Sequence, residues 1–211
     1  MDNLLTLGSL FDGSGGFPLG AVFSGILPLW ASEVAPFAIR VTTKRLPWMR
    51  HLGDIHGING AEIEPVDIIT FGSPCTDMSV AGKRAGLEGK QSVLFYEAIR
   101  IIREMRSATH GKYPRFIIFE NVPGAFSSNT GADYHAVLNA IVQTAEPEAE
   151  VPAPDKKGWP TADVLLGNGW SMAYRTVDSQ HFGVAQRRRR IYLVADFGSE
   201  RACDILFERD G

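Results

Sequence analysis

Short apolar blocks recur along this chain, each closed by glycine, proline or a polar cluster, and stretches with helical spacing separate them. Leu4–Phe11 is the first block and predicts a strand running into a tight loop at Gly13-Ser14-Gly15-Gly16. A helix is expected over Pro18–Ser24, ended by Gly25. Leu27–Ser32 predicts a second strand with Glu33 at its end. Pro36–Leu46 predicts a helix, with Pro36 in the first turn, where its missing N–H leaves no bond unmade. Val66–Phe71 (VDIITF) is rich in β-branched residues and predicts a strand that enters Gly72-Ser73-Pro74-Cys75. Within Gln91–Arg106, Leu94, Ala98, Ile101, Ile102 and Met105 follow helical spacing. Phe116–Phe119 (FIIF) predicts a short buried strand, and Tyr134–Thr144 a helix with Asp133 as its cap. Trp170–Val177 and Ile191–Ala195 read as late strands.

Strands alternating with helices predict an α/β fold with a largely parallel sheet. The loops after Phe11, Trp30, Phe71 and Phe119 carry unusual polar residues. Ligands in open α/β sheets bind beyond the carboxyl ends of the strands, so the chemistry is expected along one edge. Glu146–Pro160 (EPEAEVPAPDKKGWP) breaks the pattern and reads as an exposed, mobile insertion rather than a domain boundary. No internal repeat is visible.

Composition narrows the class. A chain of 211 residues suits one domain with a full core, and 45% hydrophobic with 21% charged residues is ordinary for a globular protein. No apolar run approaches a membrane span, and Met1–Leu10 lacks the basic start of a signal peptide. Two cysteines, Cys75 and Cys203, make no disulfide scaffold and point to a reducing cytoplasm. A net charge of −3 argues mildly against a dedicated nucleic-acid binder. Arg187–Arg190 and the group Lys83, Arg84 and Lys90 are the basic clusters from which any DNA contact would come.

Four segments could carry chemistry. In Phe11-Asp12-Gly13-Ser14-Gly15-Gly16, the glycines allow a sharp turn and close approach to a ligand. Glu33, at the end of the next strand, is placed as a ribose-binding carboxylate would be. The GxGxxG spacing is missing, which favours an adenosyl ligand without phosphate over a dinucleotide; a purely structural loop is equally open. Asp54-Ile55 could meet an adenine edge or form a plain turn. Cys75 sits on a rigid Pro74-Cys75 loop after a buried strand, as either a nucleophile or an inert buried thiol. Glu120, in Glu120-Asn121-Val122-Pro123, leaves a buried strand, which is costly unless the carboxylate is paired or caps the next element. In Gln186-Arg187-Arg188-Arg189-Arg190, an extended chain puts Arg188 and Arg190 on one face and Arg187 and Arg189 on the other. Two guanidinium forks on one face suit a phosphate or a polarised carbonyl, while a solvated basic edge is the plain reading.

In order and combination, the glycine loop, Glu33, Pro74-Cys75, Glu120-Asn121-Val122 and Gln186-x-Arg188-x-Arg190 resemble the DNA cytosine-5 methyltransferase family, over about residues 4–198. Ser79–Leu87 looks like the mobile loop behind that family's nucleophile, and the wording is similar to phage and bacterial members. The resemblance implies a Rossmann-like methyltransferase fold, a mostly parallel sheet with helices on both faces. It implies S-adenosylmethionine as methyl donor, S-adenosylhomocysteine as product, no metal, and duplex DNA as partner in a bacterial or phage-infected cell.

By resemblance, Cys75 adds to carbon 6 of a flipped cytosine. Glu120 holds ring nitrogen 3 and the exocyclic amine, Arg188 the carbonyl oxygen, and Arg190 supports Glu120. Phe11, Gly13, Gly15, Gly16, Glu33, Asp54, Ile55, Pro74 and Leu94 are expected around the cofactor, and Ser79, Lys83 and Arg84 at the DNA. Three positions depart from the family's wording: Thr76 stands where Gln usually follows the nucleophile, Val34 where an aromatic follows the ribose glutamate, and Ala185 where Pro precedes the glutamine. Family members continue past the arginine motif into a target recognition domain and a final cofactor-closing helix, for which 211 residues leave no room. The expectation is therefore a single catalytic domain with an exposed insertion near 145–160, truncated and weakly active alone. A catalytically impaired remnant, one subunit of a split enzyme completed by a separate recognition chain, and a tRNA methyltransferase of the same lineage are the alternatives.

Overall fold

The computed structural model describes residues 4–72 and 90–207. Pro74, Cys75, Ser79, Lys83 and Arg84 lie outside the described residues. The chain divides into two compact units, one drawn from Met1–Ser73 and Leu94–Ile118 and the other from Pro74–Val93 and Phe119–Gly211.

The first unit holds β1 (Thr6–Leu10), α1 (Gly16–Phe23), β2 (Leu27–Ser32), α2 (Pro36–Arg45), β3 (Arg50–His51), a 3-10 turn (Ile55–Gly57), β4 (Ile68–Phe71) and most of α3 (Lys90–Ala108). It also holds the start of β5 (Phe116–Asn121). Its strand order is β3-β2-β1-β4-β5, with β1 parallel to β2 and β4, and β2 parallel to β3. The chain runs outward from β1 to β3 and then crosses back to β4, so the strand order reverses at β1, the kind of place where open α/β sheets bind ligands.

Side-chain alternation places helices on both faces of this sheet. Ala21 of α1 packs with Leu7 of β1 and Ile68 of β4. The next residues along β4 point the other way, and Phe71 meets Phe95 of α3 with ring centroids 6.2 Å apart. Trp30 forces a glycine at position 8: a Cβ there would sit 2.2 Å from the indole ring. The indole is fixed in turn by donating to the Glu64 carbonyl at 2.8 Å. At the opposite end of β1, the Asp67 carboxylate accepts from both the backbone and the hydroxyl of Thr6 at 2.8 Å. That bond anchors the start of the strand whose other end carries the glycine loop.

The second unit contains the end of β5, a 3-10 segment (Pro123–Gly131), α4 (Ala132–Val142), β6 (Ala162–Leu166), β7 (Ser171–Asp178), a 3-10 turn (Ser179–Phe182), β8 (Arg189–Asp196) and α5 (Ala202–Leu206). The order is β5-β8-β7-β6, and β6, β7 and β8 form an antiparallel meander. Its core includes an aromatic cluster in which Tyr134 makes edge contacts with Phe126, Tyr174 and Trp159. Burial holds both tyrosine hydroxyls in their neutral form by raising their pKa.

One expectation is refined here and one corrected. Glu146–Pro160 is largely exposed, and it is anchored at two points: Val151 is buried, its N–H donates to Asn139 Oδ1 at 2.7 Å, and its carbonyl lies 2.6 Å from His135 Nε2. Trp159 pins the far end, donating to the Gly131 carbonyl at 2.9 Å while its ring packs on Tyr134. Pro and Glu content hid these two apolar anchors. Asp133 is not the cap of α4; Gly131 occupies that position, and Asp133 is buried in the first turn, accepting from the Ser128 hydroxyl. The strands β3 and β6 and the helix α5 were not foreseen. The first has two residues, and the second (ADVLL) is largely exposed and carries little apolar pattern.

Candidate functional site

Each unit carries one cluster of the residues singled out from the sequence. In the first, β1 ends at Leu10 and the chain turns through Phe11 (φ 54°), Gly13 (φ 56°) and Gly15 (φ 85°). Left-handed backbone at a phenylalanine is strained and marks a loop held in place by its surroundings. The holding contacts are local: the Asp12 N–H donates to the Ser32 carbonyl and the Gly15 N–H to the Asp12 carbonyl, both at 3.1 Å. Gly15 accepts no replacement, because a Cβ would fall 2.7 Å from the Thr42 methyl of α2. Gly13 and Gly16 face open space, so a ligand can approach the backbone there.

Glu33 joins this loop to the end of β2. One carboxylate oxygen accepts the Gly13 N–H at 2.7 Å, and the other accepts those of Val34 and Ala35 at 2.7 and 2.8 Å. A carboxylate has about four acceptor positions, so one remains for a further donor. Asp54 is exposed after β3; it caps the 3-10 turn by accepting from the His56 N–H at 3.0 Å and pairs with the His56 ring at 2.7 Å. Its pKa is lowered, first by the His56 backbone hydrogen bond and then by the His56 side chain. The Ile55 side chain is buried, so this position offers a ligand its backbone rather than an apolar wall. Leu94 lies half-buried near the start of α3.

Asp12 is a site residue that sequence reasoning passed over. The residue is 8% exposed, and among the described residues neither carboxylate oxygen has a well-formed hydrogen bond; the same holds for the buried Ser9 hydroxyl nearby. Burial pushes the Asp12 pKa up to about 6; Ser9 offsets this in part and the charge of Glu33 adds to it. The signal was in the sequence, since an acid directly after a buried strand and inside a glycine loop has little room to reach water. Two carboxylates beside one glycine loop make a poor phosphate site and a good site for a positively charged, phosphate-free ligand.

In the second unit, Glu120 and Asn121 end β5. The Glu120 carboxylate pairs with Arg190 Nε of β8 at 2.8 Å, and both side chains are about four-fifths buried, at 23% and 22% exposure. A second Arg190 nitrogen donates to the Arg189 carbonyl at 2.7 Å, which fixes the fork. Arg188 is exposed and lines a cavity of about 330 Å³ together with Arg190, Tyr192, Val177, Ser179 and Phe182. Tyr192 was also missed, although it lies two residues beyond Arg190 on the same strand face. Its pKa is raised by burial and by Glu120, with Arg188 and Arg190 opposing, so all four groups share one field. The expected separation of the arginines holds: Arg187 and Arg189 line a different cavity. The arrangement presents a fixed carboxylate and a guanidinium that is unpaired among the described residues, beside a pocket with apolar walls, which suits a planar polar ring.

Comparison with known proteins places the chain. It belongs to the C-5 cytosine-specific DNA methylase family, whose model matches residues 5–146. It is 32% identical over 212 residues to the DNA N-6-adenine-methyltransferase of Escherichia phage P1, covering 89% of this chain and 28% of that protein. It is 32% identical over 202 residues to the Type II methyltransferase M2.BsuMI of Bacillus subtilis, covering 96% of this chain and 44% of that one. A solved structure described as a DNA modification methyltransferase encoded within an Escherichia coli prophage shares the fold, with a TM-score of 0.63 at 21% identity over 91% of this chain and 46% of that chain. The chain thus spans less than half the length of each of these relatives. No helix among the described residues is long and apolar enough to cross a membrane.

Proposed function

We propose that this chain carries the catalytic portion of a DNA cytosine-5 methyltransferase that uses S-adenosylmethionine. The observation that carries the reading is the half-buried Glu120–Arg190 pair, with Arg188 and Tyr192 beside it, at the positions the family motifs assign to the target base. The glycine loop fits the cofactor's chemistry. Glu33 keeps one acceptor for a ribose hydroxyl, Gly13 and Gly16 leave the backbone open, and the carboxylates of Asp12 and Glu33 favour a cation. Phe11, Gly15, Asp54, Ile55, Pro74 and Leu94 complete the proposed cofactor set. S-adenosylmethionine, when bound, supplies a methyl group activated by its sulfonium.

The chain's own residues prepare the acceptor. The Cys75 thiolate adds to carbon 6 of a flipped-out cytosine, and the displaced electron pair makes carbon 5 nucleophilic. Glu120 holds the proton at ring nitrogen 3 and accepts from the exocyclic amine, which stabilises the charge that develops on the ring. Arg188 donates to the carbonyl oxygen, and Arg190 keeps Glu120 in place. After methylation a base removes the proton from carbon 5, and the electron pair left behind expels the thiolate. Ser79, Lys83 and Arg84 are assigned to the DNA, and the reaction to the cytoplasm of a bacterial or phage-infected cell.

Product analysis tests this reading, since a relative is described as acting on adenine nitrogen 6. Duplex DNA incubated with the protein and methyl-labelled S-adenosylmethionine, then digested to nucleosides, is expected to carry its label in 5-methylcytosine. Label in N6-methyladenine would overturn the assignment.

A further inference from the structure

The second cavity of the second unit lies outside the proposed chemistry. It measures about 540 Å³ and is lined by Arg175, Arg187 and Arg189 with His181, Asp178 and Phe182. Three guanidiniums face one carboxylate, in a chain whose net charge is −3, so the concentration of positive charge is local and not a consequence of composition. Asp178 offsets one of the three charges and leaves an excess of two. Its oxygens accept from the Gln180 N–H at 3.2 Å, the Gln180 side chain at 3.1 Å and the Arg188 N–H at 3.2 Å, which caps the turn. Arg175 is steadied by the Leu206 carbonyl at 3.4 Å and lies over the Phe207 ring at 5.6 Å. Arg187 and Arg189 form no ion pair among the described residues and are exposed. Three like charges gathered around a single counter-charge repel one another, and a bound polyanion offsets that repulsion.

We propose that this cavity seats backbone phosphates of the DNA duplex flanking the target base, with Arg187 and Arg189 as the contacting residues and Arg175 as the supporting charge. The proposal rests on the reading that the chain acts on DNA. Guanidinium forks match phosphate oxygens two at a time, and Phe182 offers an apolar wall to the sugar edge. Such contacts add affinity without reading sequence.

The test is the salt dependence of binding to a fluorescent duplex oligonucleotide, followed by anisotropy. Each phosphate contact contributes about 0.9 to the slope of log affinity against log salt. R187A/R189A is expected to flatten that slope by about 1.8, while R187K/R189K, which keeps the charge, retains it. K156A/K157A removes the same charge from an exposed segment and is expected to keep the wild-type slope. An unchanged slope in R187A/R189A, an equal loss in K156A/K157A, or wild-type binding indifferent to salt would each overturn the proposal. So would an unchanged DNA slope together with lost binding to a polyglutamate peptide, which assigns the cavity to an acidic protein segment. The catalytic reading fails separately: wild-type protein that binds duplex with a steep slope yet labels no cytosine loses that reading and keeps the phosphate site.

Discussion

Glu33 in the first unit and Glu120 in the second both leave the end of a buried strand, yet they are held by opposite means. Three backbone N–H groups hold Glu33, and a guanidinium holds Glu120. Neutral donors fix a carboxylate without cancelling its charge, so the glycine loop keeps a negative field, deepened by Asp12, whose buried carboxylate has no ion-pair partner among the described residues. An ion pair cancels charge locally and leaves direction, so the Glu120–Arg190 pair presents oriented hydrogen-bonding edges and leaves Arg188 as the charge beside them. The first arrangement suits a cation; the second suits a planar polar ring. One family motif set thus builds two electrostatically different clusters from the same side chain.

The comparison breaks most visibly at Glu120. Glu120→Gln keeps the shape but loses the charge that holds Arg190 and the proton at the base, so methyl transfer at saturating cofactor is expected to fall about 10²–10⁴-fold. A fall of less than tenfold would mean that Glu120 merely caps the strand.

Asp12→Asn probes the field of the other cluster. The folded pKa of Asp12, about 6, lies above its ordinary value of 3.8. Between these values the folded state holds the proton while the unfolded state releases it. Asp12 therefore lowers stability as pH rises from about 4 to 6 and keeps it low above that. Asp12→Asn removes the penalty, and denaturant unfolding at pH 7 is expected to show a gain of about 2–3 kcal/mol that vanishes near pH 4. A loss of stability at pH 7 would show the carboxylate to be paired.

The smallest effect falls at Glu33. Glu33→Gln removes the charge and one backbone acceptor, and S-adenosylmethionine binding by calorimetry is expected to weaken about 10–100-fold. Equal weakening for Glu120→Gln would erase the distinction between the two clusters.

The strands and helices around these residues were legible because each buried strand is a short apolar run and each helix follows the 3.6-residue period. Leu27–Ser32 coincides with β2, and Glu33 lies directly beyond it. The arginine alternation was legible because strand geometry has period two. The anchors of Glu146–Pro160 were not, because a single buried Val151 and a half-buried Trp159 leave no periodic trace among prolines and acids. The isolation of Asp12 was not legible either. A missing partner is a property of three-dimensional surroundings, and the sequence around Asp12 offers Ser9, Ser14 and Thr42 as plausible donors.

The account's central claim is that Cys75 attacks a cytosine presented to Glu120 and Arg188. Covalent trapping tests it most directly, using a mixed-sequence duplex pool with 5-fluorocytosine in place of cytosine, plus S-adenosylmethionine. Fluorine at carbon 5 blocks the final proton removal, so the adduct survives a denaturing gel. Wild-type protein is expected to shift on the gel with the DNA, and Cys75→Ser to give no shifted band. An adduct that persists in Cys75→Ser, or wild-type protein that binds the duplex and leaves no adduct, would contradict the account.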